Sequence, residues 1–287
     1  MKESRSGALF ALGAYGLWGI VPIYWKKLGG IPAAEIVAHR VVWSVLFVAI
    51  GLALVRGFGS VGVALRSRRT LAFLAVTTTL IALNWGIFIW AVQAGHILQA
   101  SLGYYVNPLM SVAMGVVFLK ERLSRPQKIA VALAAIGVLV LTVAGRSFPW
   151  VSLLLALTFA SYGLLRKIAP VEALAGLFVE TLLVTPLALA FVIFREHAGT
   201  GALVTGSLGR GVLLAMAGPI TAVPLLLFAA AARRLSLSTL GFFQYIAPTL
   251  QFLCAVLLYG EKLTAAHLAT FACIWAALAI FTLGRTR

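Results

Sequence analysis

The chain contains no aspartate, and its acidic residues are seven glutamates. Charged residues of both signs occupy only 10% of its 287 positions. A water-soluble domain carries about a quarter, so this chain lacks the polar surface to cover a globule. Its two cysteines, Cys254 and Cys273, both lie in apolar stretches and are too few for a disulfide framework. No Cys/His pair has ligand spacing, so no metal site is expected. The phosphate-cradling pattern G-x-x-x-x-G-K-[ST] and the zinc-protease pattern H-E-x-x-H are both missing. With no polar catalytic cluster discernible, neither an enzyme nor a cofactor is expected.

What the chain has in excess is apolar surface: 62% of its residues are hydrophobic. A water-soluble core could not hide that much, which makes lipid the solvent. The net charge of +16 raises nucleic acid as a partner. However, the basic residues form short clusters between apolar runs, where topology signals and anionic-lipid contacts belong. Membrane lipids, and no nucleic acid, are the expected partners. The first run follows Lys2, Glu3 and Arg5 like a signal-peptide flank. Its length, its aromatic residues and the lack of a small-residue cleavage site make it a retained first span.

About 20 apolar residues cross the hydrocarbon as a helix. Ten segments qualify, near 7–25, 33–55, 71–93, 98–119, 127–145, 149–167, 173–194, 211–232, 236–259 and 265–284. With the N-terminus inside, sixteen Lys and Arg fall in cytoplasmic segments, among them Arg166, Lys167, Arg285 and Arg287. Six fall outside: Lys26, Lys27, Arg146, Arg195, Arg210 and Lys262. The bias predicts a multi-pass protein of the inner membrane with both termini cytoplasmic.

The two halves are alike at an offset of 140 residues. Tyr105-x-x-Pro108 matches Tyr245-x-x-Pro248, Glu121-Arg122-Leu123 matches Glu261-Lys262-Leu263, and Lys26-Lys27 matches Arg166-Lys167. Five spans per half force the second copy to enter from the opposite side, which is an inverted-topology repeat. The fold class read here is all-α integral membrane with ten transmembrane helices in a 5+5 repeat, residues 1–147 and 148–287.

Several motifs carry a family resemblance that covers nearly the whole chain. They include Ala14-Tyr15-x-x-Trp18-Gly19, Glu35-x-x-x-His39-Arg40-x-x-Trp43-Ser44, Asn84-Trp85, Ser101-Leu102-Gly103-Tyr104 and Asn107-Pro108-Leu109. Further along stand Tyr162-Gly163-Leu164, Glu180-Thr181 and the run Leu237–Tyr245. On these the chain resembles the EamA branch of the drug/metabolite transporter superfamily, and within it the RarD-type, chloramphenicol-sensitivity permeases. The resemblance implies a central cavity between the first four spans of each half and a solute exporter or permease.

Arg40 is the sharpest candidate. It lies about seven residues into its span, roughly 10 Å deep at 1.5 Å per residue. A charge at that depth costs at least a few kcal/mol unless a cavity, partner or anion meets it. A guanidinium forks onto carboxylate or phosphate; the alternative is a structural ion pair or a snorkelling side chain. Glu180 stands at the matched position in span seven. It is a candidate for proton coupling or for pairing with Arg40 in one transport state, the alternative being a permanent pair that only holds helices. His39 points about 100° away from Arg40 around the helix, which favours a hydrogen bond between helices over proton relay. Pro108 and Pro248 lie near mid-bilayer and are candidate hinges.

Trp18, Asn84, Trp85, Tyr104, Tyr105, Asn107, Tyr162, Phe243, Gln244 and Tyr245 sit at middle depths, away from the interfaces that Trp and Tyr prefer. They are candidates to line a cavity for a flat solute, with helix packing as the competing role. Trp25, Trp150 and Tyr259 fit the interface. Gly13, Gly16 and Gly19 suit close helix contact. The reading favoured is a secondary carrier for a small organic solute, with alternating access around a mid-membrane site. The alternative is a channel or lipid scramblase, which would want a continuous polar lining. The sequence does not choose between monomer and homodimer.

Overall fold

The computed structural model describes residues 2–93, 97–144, 149–259 and 265–283. Arg146, Glu261, Lys262, Leu263, Arg285 and Arg287, used above for topology and repeat, lie outside them. All secondary structure among the described residues is helical. In chain order the helices are α1 (Lys2–Lys27), α2 (Ala33–Leu54), α3 (Phe58–Arg66), α4 (Arg68–Gln93), α5 (Ile97–Leu119) and α6 (Arg125–Ala144). There follow α7 (Trp150–Ile168), α8 (Ala173–His197), α9 (Leu208–Arg234), α10 (Leu237–Gln244), α11 (Ile246–Tyr259) and α12 (Ala265–Leu283).

Nine described stretches are long and apolar enough to cross a membrane, the ninth running through α10 and α11. The searched apolar part of α12, Leu268–Thr282, is shorter. In lipid every backbone polar group needs an internal partner, and helices supply it within one segment. The outer faces agree: Leu187 is 75% exposed, Val117 67% and Leu257 74%. Such a surface suits acyl chains, not water.

The core lies between the halves of the chain. Helix α1 packs on α9 and α11, α2 on α8 and α9, α5 on α7 and α10, and α6 on α12. Small residues permit the closest of these approaches. A Cβ on Gly218 would lie 2.5 Å from the backbone of Trp43, and Ser44 Oγ donates to Gly218 O at 3.2 Å. Gly19 fits against Leu250, whereas Gly16 has open space beside it and permits no contact of this kind.

The two candidate hinge prolines behave differently. Pro108 is inside a continuous α5. Pro248 is the third residue of α11, and the span breaks at Tyr245. A proline cannot donate to the carbonyl four residues back, and its ring clashes with it. For Pro248 that carbonyl belongs to Gln244, the last residue of α10.

Candidate functional site

A cavity of about 580 Å³ lies between the halves. It runs from mid-bundle, at Tyr15 and Gln244, to the end where α1 stops and α2 starts, at Trp25 and Ala33. Of the residues singled out from sequence, Trp18, Arg40, Asn84, Trp85, Tyr104, Asn107, Gln244 and Pro248 line it. Tyr15, Trp25, Phe88, Phe159, Thr221 and Gln251 line it too, unforeseen.

Arg40 projects from α2 into this space. Its Nε donates to Thr221 Oγ1 on α9 at 2.9 Å. Its guanidinium carbon lies 4.9 Å from the ring centre of Trp25 and 4.8 Å from that of Trp85. Each such contact is worth about 0.5–2 kcal/mol, more where water is scarce. Trp25, placed by its residue type at the interface, also forms a wall of the cavity. No carboxylate pairs with Arg40 among the described residues, and its Nη atoms have no hydrogen-bond partner there.

The cavity's amides are turned by the protein. Asn84 Nδ2 donates to Leu155 O and to Thr158 Oγ1, both at 2.9 Å. Both amide hydrogens are thus used, which leaves its oxygen free to accept. Asn107 Oδ1 and the Tyr15 hydroxyl are buried without partners. Gln244 Oε1 accepts from Ser111 Oγ at 3.0 Å, and Gln251 Nε2 donates to Trp18 O at 3.1 Å. The site thus offers a cation toward the end where α1 stops and α2 starts, acceptors nearer mid-bundle, and aromatic walls.

Glu180 is elsewhere. It is 3% exposed, with Thr77 Oγ1 at 2.6 Å, the Tyr162 hydroxyl at 3.3 Å and Arg166 Nη1 at 3.5 Å. Arg166, counted above among cytoplasmic charges, is 1% exposed inside α7, because Glu180 and Ala173 O draw its guanidinium inward. Gly176 makes room, since a Cβ there would overlap that guanidinium. The structure does not bring Arg40 and Glu180 together. Between Glu180 and the cavity stands an aromatic stack. Tyr162 lies on Phe228 at 6.0 Å and 13°, and Phe228 abuts Tyr15 and Trp18.

The remaining candidates lie off the cavity. Tyr105 and Tyr245 pack in the cluster that faces α12, with Tyr245 Oη donating to Tyr105 O at 3.4 Å. Phe243 packs against the main core, and Pro108 lends its carbonyl to the contact with Gly241. His39 faces Glu35 and Glu196. Glu121, legible in sequence only as a repeat marker, caps α10. Its carboxylate accepts from Leu237 N at 2.6 Å and from Ser238 N at 2.9 Å. The signal for the missed Thr221 and Gln251 was there: isolated polar residues in apolar spans need partners.

Residues 5–143 match the model of the EamA-like transporter family. An uncharacterized transporter of Vibrio cholerae is 48% identical over 98% of this chain and 93% of its own length. Protein RarD of Escherichia coli is 46% identical over 98% and 95%. The chloramphenicol-sensitive protein RarD of Pseudomonas aeruginosa is 38% identical over 97% and 94%. A crystal structure 18% identical in sequence superposes with a TM-score of 0.73 over 97% of each chain, which is a likeness of fold.

Proposed function

The chain belongs to the EamA-like transporter family, and from that premise we propose that it is a secondary carrier for a small organic solute in a bacterial inner membrane. It has no nucleotide-binding loop, so a gradient or the solute itself supplies the energy. Ten spans form two inverted five-helix halves, residues 1–147 and 148–287, with both termini cytoplasmic. One feature of the packing supports the repeat: Arg40 and Glu180, at matched positions in the second span of each half, each bond a threonine on the third span of the other half. Arg40 on α2 bonds Thr221 on α9, and Glu180 on α8 bonds Thr77 on α4.

The carrier works by alternating access. With the N-terminus inside, the cavity opens outward in the state described. The aromatic stack and the Glu180–Arg166 pair close the inner side. An anionic group of the solute takes the free edge of Arg40, and a flat ring lies along Trp18, Trp85 and Phe159. The observation that carries this reading is the Arg40 guanidinium, held by two indoles and a threonine with its Nη atoms open to the cavity.

The test is binding and flux with purified protein. Thermal-shift screening against aromatic carboxylates, their neutral esters and aliphatic acids should favour the first class, because ligands of the folded state raise its apparent stability. Arg40→Ala should keep its folded yield and lose flux of the selected solute in proteoliposomes at least tenfold. Arg40→Lys should retain part of it, having charge without the fork. Unchanged flux in Arg40→Ala would refute the reading.

A further inference from the structure

The first two turns of α2 present two faces. Ile36 and Arg40, four residues apart, line the cavity. Glu35 and His39, also four residues apart, face the far end of α8, where they meet Glu196. One ligand atom from each of these three side chains lies within 4.8 Å of the other two. Glu35 and His39 are 0% and 1% exposed.

The two carboxylates are already aimed. Glu35 accepts from Ala202 N at 2.6 Å and from Arg195 Nη2 at 3.3 Å. Glu196 accepts from Leu203 N at 3.1 Å and Val204 N at 2.9 Å. A carboxylate has about four lone-pair sites, so each keeps acceptor capacity. Two carboxylates against one guanidinium leave a negative excess. The imidazole is the odd member: His39 Nε2 is buried and has no hydrogen-bond partner. Buried polar atoms are seldom left so, and an exception points to a missing ion or water.

We propose that Glu35, His39 and Glu196 form a binding site for one divalent metal ion of the zinc class. One imidazole with two carboxylates suits zinc or manganese better than magnesium, which prefers oxygen and keeps its waters. Zinc holds such ligands tetrahedrally at about 2.0–2.2 Å, so neighbouring donor atoms stand about 3.3–3.6 Å apart. Donor atoms that lie within 4.8 Å of one another close to that spacing by movements of about 1 Å, which side-chain rotation supplies. The ion would clamp the outer start of α2 to the end of α8 and the loop after it. It would thereby set the position of Arg40, one residue from His39. The binding step is independent of any transport activity.

The experiment uses the untagged full-length protein in detergent, stripped with chelator. Calorimetric titration with zinc should count one ion per chain. Saturating zinc should raise Tm by several degrees, since the ion binds only the folded site. Magnesium should do neither. His39→Ala should abolish both effects. If that variant fails to fold, Glu196→Gln, at the least buried of the three positions, should weaken zinc binding at least tenfold. Cobalt should give a visible ligand-field band in the parent and none in the variants. No zinc-dependent shift in the parent, or the same shift in parent and variants, would overturn the proposal. So would a stability that follows pH through the histidine range but ignores metal, because a proton would then satisfy His39. Loss of flux in an Arg40 variant bears on none of these readouts.

Discussion

Two arginines, one half-buried on the cavity and one fully buried, show how differently a membrane interior can accept the same side chain. Arg166 has an acid, Glu180, and both are almost wholly removed from solvent. Arg40 has two indole faces and a hydroxyl. A buried ion pair stripped of one member leaves an uncompensated charge, at a cost of about 3–5 kcal/mol. Arg166→Ala should therefore lower Tm sharply. The double variant Arg166→Ala/Glu180→Gln should recover much of the loss, because the neutral amide still meets Thr77 and Tyr162. A double-mutant cycle on Tm measures this coupling. A loss in the double variant equal to the sum of the two single losses would show that the two side chains act separately. Sequence placed Arg40 within a span but counted Arg166 among the cytoplasmic charges; the partner of each lies on another helix.

At the scale of elements, the break between α10 and α11 is the feature with most consequence. It places Gln244 and Pro248 on the cavity and turns Tyr245 away toward α12. Helix α10 has only eight residues, too few to be stable by propensity alone. It is held by Glu121 at its N-terminus and by the close contact of Gly241 with Pro108 O. A capping carboxylate also meets the positive end of the helix dipole. Glu121→Ala should cost about 0.5–2 kcal/mol, as the loss of a cap does. Gly241→Ala puts a Cβ 2.7 Å from that carbonyl and should cost about 1–3 kcal/mol by overpacking. Thermal unfolding in detergent checks both. Full stability of Gly241→Ala would mean that α5 and α10 can part at little cost. The proline at 248 was readable as a helix breaker. Its sequence twin at 108 was not readable as harmless, since the tolerance depends on what surrounds the freed carbonyl.

For the molecule as a whole, the main helix pairs join one half of the chain to the other. Neither half buries its own polar and aromatic face. Residues 1–147 expressed alone should be degraded or aggregate, and so should residues 148–287. Co-expression of the two should restore a complex that co-purifies in detergent. A stable, monodisperse half would contradict this. Reporter fusions at both termini should signal the cytoplasmic side, since an even number of crossings returns the chain to where it began. A C-terminal fusion active only outside would remove the inverted repeat, and an N-terminal fusion active only outside would reverse the assignment of the cavity to the outer face.

Composition by itself determined the solvent and the helical class, and the apolar runs located most of the spans, but neither α3 nor the break between α10 and α11. Lipid leaves a backbone few choices, so a run of apolar residues is enough to specify a span. Motifs at fixed spacing determined the family, and the lone arginine in a span pointed to a cavity. Tertiary structure decided which side of each helix faces that cavity. It made Trp25 a wall of the site and Tyr105, Phe243 and Tyr245 parts of the core. It paired Glu180 with Arg166 instead of leaving it for Arg40, and it brought Glu196 to a helix more than 150 residues earlier. The reason is rotational. In a span that is apolar all round, the hydrophobic pattern carries no preferred face, so the orientation of each side chain is set by the helices that pack against it.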